Sequence, residues 1–190
     1  PQQVVTTAGA FAEGLCRSGV YPTFKHFPGH GRADAHGDDA PARTPSLVEM
    51  EAADIVPFRR MLASMQGRSL LMTGHLDVPG LTTDGRPFSL DPDAMAYLRN
   101  TLGYDGVTVT DELAEMGAIT RRGISVPEAV ESALIAGNDM ALYFGDVGQL
   151  AEVLDHLEAA VADGRLSTAQ VDRSLTRVLT LKASGGCAAS

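Results

Sequence analysis

Four short stretches rich in β-branched and apolar residues, 23–26, 70–75, 107–110 and 140–144, constrain the fold most, because helical patterns separate each from the next. Alternation of buried strand and amphipathic helix is the mark of βα units on a parallel sheet. Before the first strand, Ala8, Phe11, Ala12 and Leu15 share one helical face. After it, Ser46-Leu-Val-Glu49 fits a capping box that opens a helix carrying Ile55, Phe58 and Leu62. A third helix is expected from Asp91-Pro92 to Gly103, and a fourth from the capping box Ser125-Val-Pro-Glu128 to Gly137. Leu150, Val153, Leu154, Leu157 and Val161 mark the next, and Ser167-Thr-Ala-Gln170 opens the last, with Val171, Leu175, Val178 and Leu179 on its apolar face. Residues 184–190 read as a flexible tail.

Polar residues gather where these strands end: Lys25-His26 and the loop to Asp39, then His75 and Asp77, then Asp111 and Glu112. Strand-end loops converge at that face of a parallel α/β protein, so one site is expected there. Segment 30–45 is long and polar, the kind of loop that compact domains keep for function. With 24 acidic against 15 basic residues, a net charge of −9 and no Lys/Arg cluster, nucleic acid and anionic lipid are poor partners. No apolar run is long enough for a membrane span. A small neutral ligand such as a sugar remains compatible. The two cysteines, Cys16 and Cys187, cannot build a disulfide framework and are expected to be structural or incidental thiols.

Lys25-His26-Phe27-Pro28-Gly29-His30-Gly31 turns a cation and two imidazoles into one mouth. Followed by an Asp/His-rich loop, it resembles the β-N-acetylhexosaminidase branch of glycoside hydrolase family 3. Three further stretches fall in that family's order: Leu71-Met-Thr-Gly-His75 with Val78-Pro-Gly-Leu81, Leu102-Gly-Tyr-Asp-Gly-Val-Thr-Val-Thr-Asp-Glu-Leu113 running into Met116-Gly-Ala-Ile119, and Ala136-Gly-Asn-Asp-Met140. The resemblance implies a (β/α)8 barrel of the TIM type and a retaining glycosidase that releases terminal β-linked N-acetylglucosamine from peptidoglycan fragments or related glycans.

It also implies roles. Asp111 would be the nucleophile, and an alternating β-rich strand does deliver this carboxylate at its C-terminal tip. Glu112 is read as its solvated neighbour. The acid/base of this branch resembles an Asp-x-His dyad on the loop after Lys-His, with Asp eleven and His thirteen residues after the lysine. An ungapped count from Lys25 instead meets His36 and then Asp38, whereas keeping the Asp-x-His order selects Asp34 and His36. His36 is the histidine either way; Asp38 is the preferred orienter because the ungapped count also aligns Arg43-Thr-Pro with a family Thr-Thr-Pro, and Asp34 is the alternate. Histidine titrates near neutrality and can give and take a proton. Lys25, His26 and His75 would bind substrate, although His75 also reads as a structural histidine on the pocket floor, and His30 as a turn-organising residue. No metal or cofactor is expected: the spacing of His30, Asp34, His36, Asp38 and Asp39 matches neither HExxH nor an EF-hand.

A complete barrel takes ~250 residues and eight strands. Four strands in 190 residues therefore read as the second half of one, residues 1–190 being a partial catalytic domain. Its two free sheet edges would pair with a missing N-terminal half or with another copy, and the isolated piece is expected to have little or no activity. A start at Pro-Gln-Gln reads as an interior or processed point, which leaves the compartment open between the bacterial cytoplasm and an exported or lipid-anchored state. Two alternatives stay in play: a β-glucosidase of the same family, and a non-catalytic sugar-binding or degenerate module.

Overall fold

The computed structural model describes residues 1–187. In chain order the elements are α1 (Gln2–Arg17), β1 (Thr23–Phe27), β2 (Ala42–Arg43), α2 (Leu47–Ala52), α3 (Ile55–Ser64), β3 (Leu70–Thr73), β4 (Leu76–Asp77), α4 (Pro92–Ala96), β5 (Thr108–Glu112), α5 (Gly117–Thr120), α6 (Val126–Ala136), β6 (Met140–Leu142), α7 (Val147–Ala162) and α8 (Thr168–Ala183). Strands β1, β3, β5 and β6 form one parallel sheet in that spatial order, and the two-residue strands β2 and β4 pair in parallel beside it. These are four βα units of a barrel, as the alternation predicts. Both outer strands, β1 and β6, keep one unpaired edge.

Alternate strand residues divide the sheet into two faces. Leu71, Thr73, Thr108 and Thr110 lie buried under the helices, while Leu70, Met72, Val109 and Asp111 on the opposite face are half-buried. Under the helices the Phe27 ring meets Phe58 and Phe88 edge-on, at centroid distances of 5.3 and 5.1 Å. Such T-shaped pairs add to the burial of their large apolar area. A second core beneath α6 and α7 joins Leu113, Ile119, Val130, Ala133 and Val153.

The helix read through 46–62 is two helices. Pro57 has no N–H to give the Ala53 carbonyl, so a continuous helix would lose a bond there; restarting at Ile55 puts the proline in the first turn, where no such bond is required. The helix expected to Gly103 keeps its α form only to Ala96 and finishes as a π turn over Tyr97–Thr101. Both capping boxes form, and Gly137 closes α6 in the left-handed conformation.

Helix α8 runs as a strap past the N-terminal ends of β1, β5 and β6. Arg177 bonds Asp139 ahead of β6 and Asp105 ahead of β5, and the Tyr21 hydroxyl ahead of β1 donates to the Leu181 carbonyl. The Asp139 side chain is fully buried, accepting from Arg99 at 2.8 Å, Arg177 at 3.2 Å and the Thr108 amide at 2.9 Å, so its charge is compensated on every side. Beyond α8, Cys187 is buried and joined to Cys16 of α1 by a disulfide, with the α-carbons 4.8 Å apart. The thiol reading of the two cysteines is thereby corrected: pairing across 171 positions follows from the path of α8, which no spacing rule reveals. Of the tail expected over 184–190, residues up to Cys187 are pinned by this bridge, and 188–190 lie outside the described residues.

Candidate active site

The C-terminal ends of β1, β3 and β5 bring together most of the side chains singled out by sequence. Near its C-terminal end β1 carries Lys25 and His26, within a segment holding cis peptide bonds at Lys25–His26 and Phe27–Pro28. The β5 end presents Asp111 opposite, and Nε2 of His26 stands 3.4 Å from Oδ2 of Asp111. Asp111 keeps 15% of its side-chain surface exposed, enough for an approaching ligand to reach it. Its Oδ1 accepts only the Glu112 amide, at 3.0 Å, leaving Oδ2 toward the open face. Lys25 is exposed and without a side-chain bond among the described residues, a free cation at the rim.

Glu112 differs from the solvated neighbour that the sequence suggests. It is buried, and its carboxylate accepts the amides of Ala114 at 2.6 Å, Glu115 at 2.6 Å and Phe144 at 2.9 Å. Buried amides need partners, and Glu112 supplies three of them where β5 and β6 give way to their loops. Of two adjacent carboxylates, one is committed to the backbone and the other stays partly exposed beside His26.

His75 is 1% exposed. Its Nε2 lies 2.7 Å from the Glu112 carbonyl, which can only accept, so Nε2 carries the proton and Nδ1 receives the Ser89 hydroxyl at 2.6 Å. Burial pushes this imidazole below its ordinary value. Ser89 in turn accepts at its carbonyl from the Asn138 amide, and Asn138 also takes the Thr73 hydroxyl. A buried polar network thus connects the Ala136–Met140 motif to the floor under Asp111. Asp77 accepts the Thr82 hydroxyl and faces Arg43 across the β2–β4 pair.

The long loop is tied down at several points. Arg32 makes two bonds to Asp54, at 2.9 and 2.7 Å, and a third to the Glu49 carbonyl. Asp34 closes the loop on itself: its Oδ1 accepts the Arg43 amide at 2.7 Å, and its own amide donates to the Arg43 carbonyl. The amides of Gly117 and Ala118 donate to the carbonyls of Asp38 and Gly37, seating the loop on the start of α5. A Cβ at Gly117 would fall 2.4 Å from the Asp39 carbonyl oxygen, so only glycine permits this docking. Between these anchors His36, Asp38 and Asp34 are exposed, and the His36 ring makes no hydrogen bond to either carboxylate. The small strands β2 and β4 and the short helix α5, which hold this loop, are too brief to leave a periodic signal.

The mouth contains three histidines of lowered basicity. Burial is the leading cause for His26 and His30, outweighing the opposing pull of Asp111 on each. The mouth therefore offers a carboxylate, a free ammonium, neutral imidazoles and an exposed histidine on a loop. Such a set can attack an electrophilic carbon and exchange protons beside it.

Residues 1–181 match the family described as "Glycosyl hydrolase family 3 N terminal domain". Beta-hexosaminidase LpqI of Mycobacterium tuberculosis is 42% identical over 187 residues, covering 96% of this chain and 47% of the relative. A Beta-hexosaminidase of Tolumonas auensis is 35% identical, covering 92% of this chain and 52% of the relative. Among solved structures, a β-N-acetylglucosaminidase of this family from Paenibacillus superposes with a TM-score of 0.89 at 34% identity, over 97% of this chain and 35% of its own. The chain spans about half the length of the curated relatives it matches.

Proposed function

Because the chain belongs to glycoside hydrolase family 3, we propose that it supplies the nucleophile, the acid/base loop and part of the sugar cradle of a retaining β-N-acetylglucosaminidase. The observation that carries this reading is the division of labour between adjacent carboxylates: Glu112 is consumed by three amides, while Asp111 stays partly exposed beside His26. In the first step an Asp111 oxygen bonds the anomeric carbon as the glycosidic C–O bond breaks, and protonated His36 gives its proton to the departing oxygen. In the second, water attacks the glycosyl ester, His36 takes a proton from that water, and the Asp111 carboxylate is released.

Asp38 suits the orienting role better than Asp34, whose carboxylate already holds the Arg43 amide. In this reading Lys25 and His26 bind sugar hydroxyls, which the exposed ammonium and the half-buried imidazole can reach. His75, with both ring nitrogens occupied, supports the floor of the pocket. The substrate class, terminal N-acetylglucosamine of peptidoglycan fragments or similar glycans, accords with relatives named beta-hexosaminidase.

The rest of the cradle belongs to another half-barrel. The open edge of β1 adjoins a groove of about 600 Å³ between α1, α3 and β1, with Val4 and Phe11 exposed beside it. Phe144, Val147, Leu150 and Leu154 lie exposed beyond the other edge. Exposed apolar surface flanking unpaired strands is what further βα units would cover. The test compares hydrolysis of aryl N-acetylglucosaminide and aryl glucoside by the full-length gene product: preference for the first, lost in Asp111→Ala, supports the reading, and preference for the glucoside overturns it.

A further inference from the structure

His30 has no task in that scheme, yet its surroundings are specific. The ring meets His26 edge-on at a centroid distance of 5.5 Å. Its Nε2 is buried and, among the described residues, has no hydrogen-bond partner. A Cβ at Gly74 would come within 3.2 Å of that nitrogen, and a Cβ at Gly37 within 3.6 Å of Cε1. Gly74 precedes His75 at the end of β3, and Gly37 separates His36 from Asp38. The imidazole is thus a wedge between Gly74 at the floor and Gly37 of the loop that carries the acid/base, tight against the first and in ordinary contact distance of the second.

An unpartnered buried nitrogen is costly, and an apolar side chain would fill the same space without that cost. The polarity of this wedge therefore points to a use in turnover. We propose that His30 is a positioning residue for proton transfer: through Gly37 it sets how closely His36 approaches the glycosidic oxygen, and its Nε2 gains a hydrogen bond when the loop settles on a bound sugar. Burial keeps the ring neutral against the nearby Asp111 and Asp38 carboxylates, so it holds its place without competing as a proton donor. This inference rests on the retaining scheme above.

The test uses the full-length gene product and a series of aryl and alkyl N-acetylglucosaminides that differ in leaving-group basicity. A good leaving group departs with little protonation, whereas a poor one depends on the acid, whose aid is worth about 10²–10⁴-fold. For His30→Ala the expected loss in kcat/KM, which reports only the steps through departure of the leaving group, is within about threefold on dinitrophenyl substrate and about 100-fold or more on alkyl substrate. His30→Gln, which keeps a polar terminus, should recover part of the alkyl rate, and His30→Phe, which only fills the space, should not. Equal loss across the series in folded variants, or no loss, overturns the proposal. Should the wild type fail to form a covalent intermediate at Asp111, the underlying scheme falls instead, an outcome separable from any effect at His30.

Discussion

Nε2 of His26 lies 3.4 Å from Oδ2 of Asp111, joining the end of β1 to the end of β5 across the intervening strand β3. A neutral imidazole there steadies the carboxylate without quenching its charge. Removing it should lower kcat/KM about 10–100-fold, or roughly 1.4–2.7 kcal/mol of transition-state stabilisation. Steady-state kinetics of His26→Ala on an aryl N-acetylglucosaminide checks this, and wild-type kinetics would refute it.

Asp111 and Glu112 should give opposite signatures. Asp111→Asn is expected to reduce turnover by about 10³-fold or more while leaving the melting temperature nearly unchanged, because only one amide bond depends on its carboxylate. Glu112→Ala orphans three amides at ~1–3 kcal/mol each and should destabilise by about 3 kcal/mol or more. Thermal melts run beside activity assays separate the two.

Much of this site is legible in the sequence because its key residues are adjacent in the chain: Lys25 with His26 at one strand tip, Asp111 with Glu112 at another. The fate of Glu112 is not, since one of its three amide donors, Phe144, comes from the following βα unit. The role of Asp34 is hidden for a related reason, its partner being backbone at Arg43 rather than a recognisable side chain. Four strands and the two capped helix starts follow from period and capping chemistry. The break before Pro57 and the pairing of Cys16 with Cys187 depend on tertiary paths that local patterns do not encode.

Reduction of the disulfide, or Cys16→Ser, should destabilise the fold by about 2–5 kcal/mol, because the bridge closes a very long loop in the unfolded chain. The pocket lies at the opposite ends of the strands, so kcat in the full-length gene product should change little. Denaturant melts with and without reductant test this; an unchanged midpoint would contradict it.

Stability should also fall with acid in a defined window. His26, His30 and His75 all have folded values below 6.5, so the unfolded chain binds more protons as pH drops through that point. The stabilising preference for neutral rings is complete above about 6.5 and is lost progressively down to their folded values. Melting temperature against pH should decline below that point, less steeply in His75→Gln than in wild type.

In the proposed retaining scheme Asp111 becomes covalently bonded to the sugar. Intact-mass measurement and peptide mapping of the full-length gene product after reaction with a fluorinated N-acetylglucosamine donor test it most directly. One added glycosyl mass is expected, located on Asp111 and absent from Asp111→Asn. A label on Glu112, or hydrolysis of the donor with no label on any carboxylate, would contradict it.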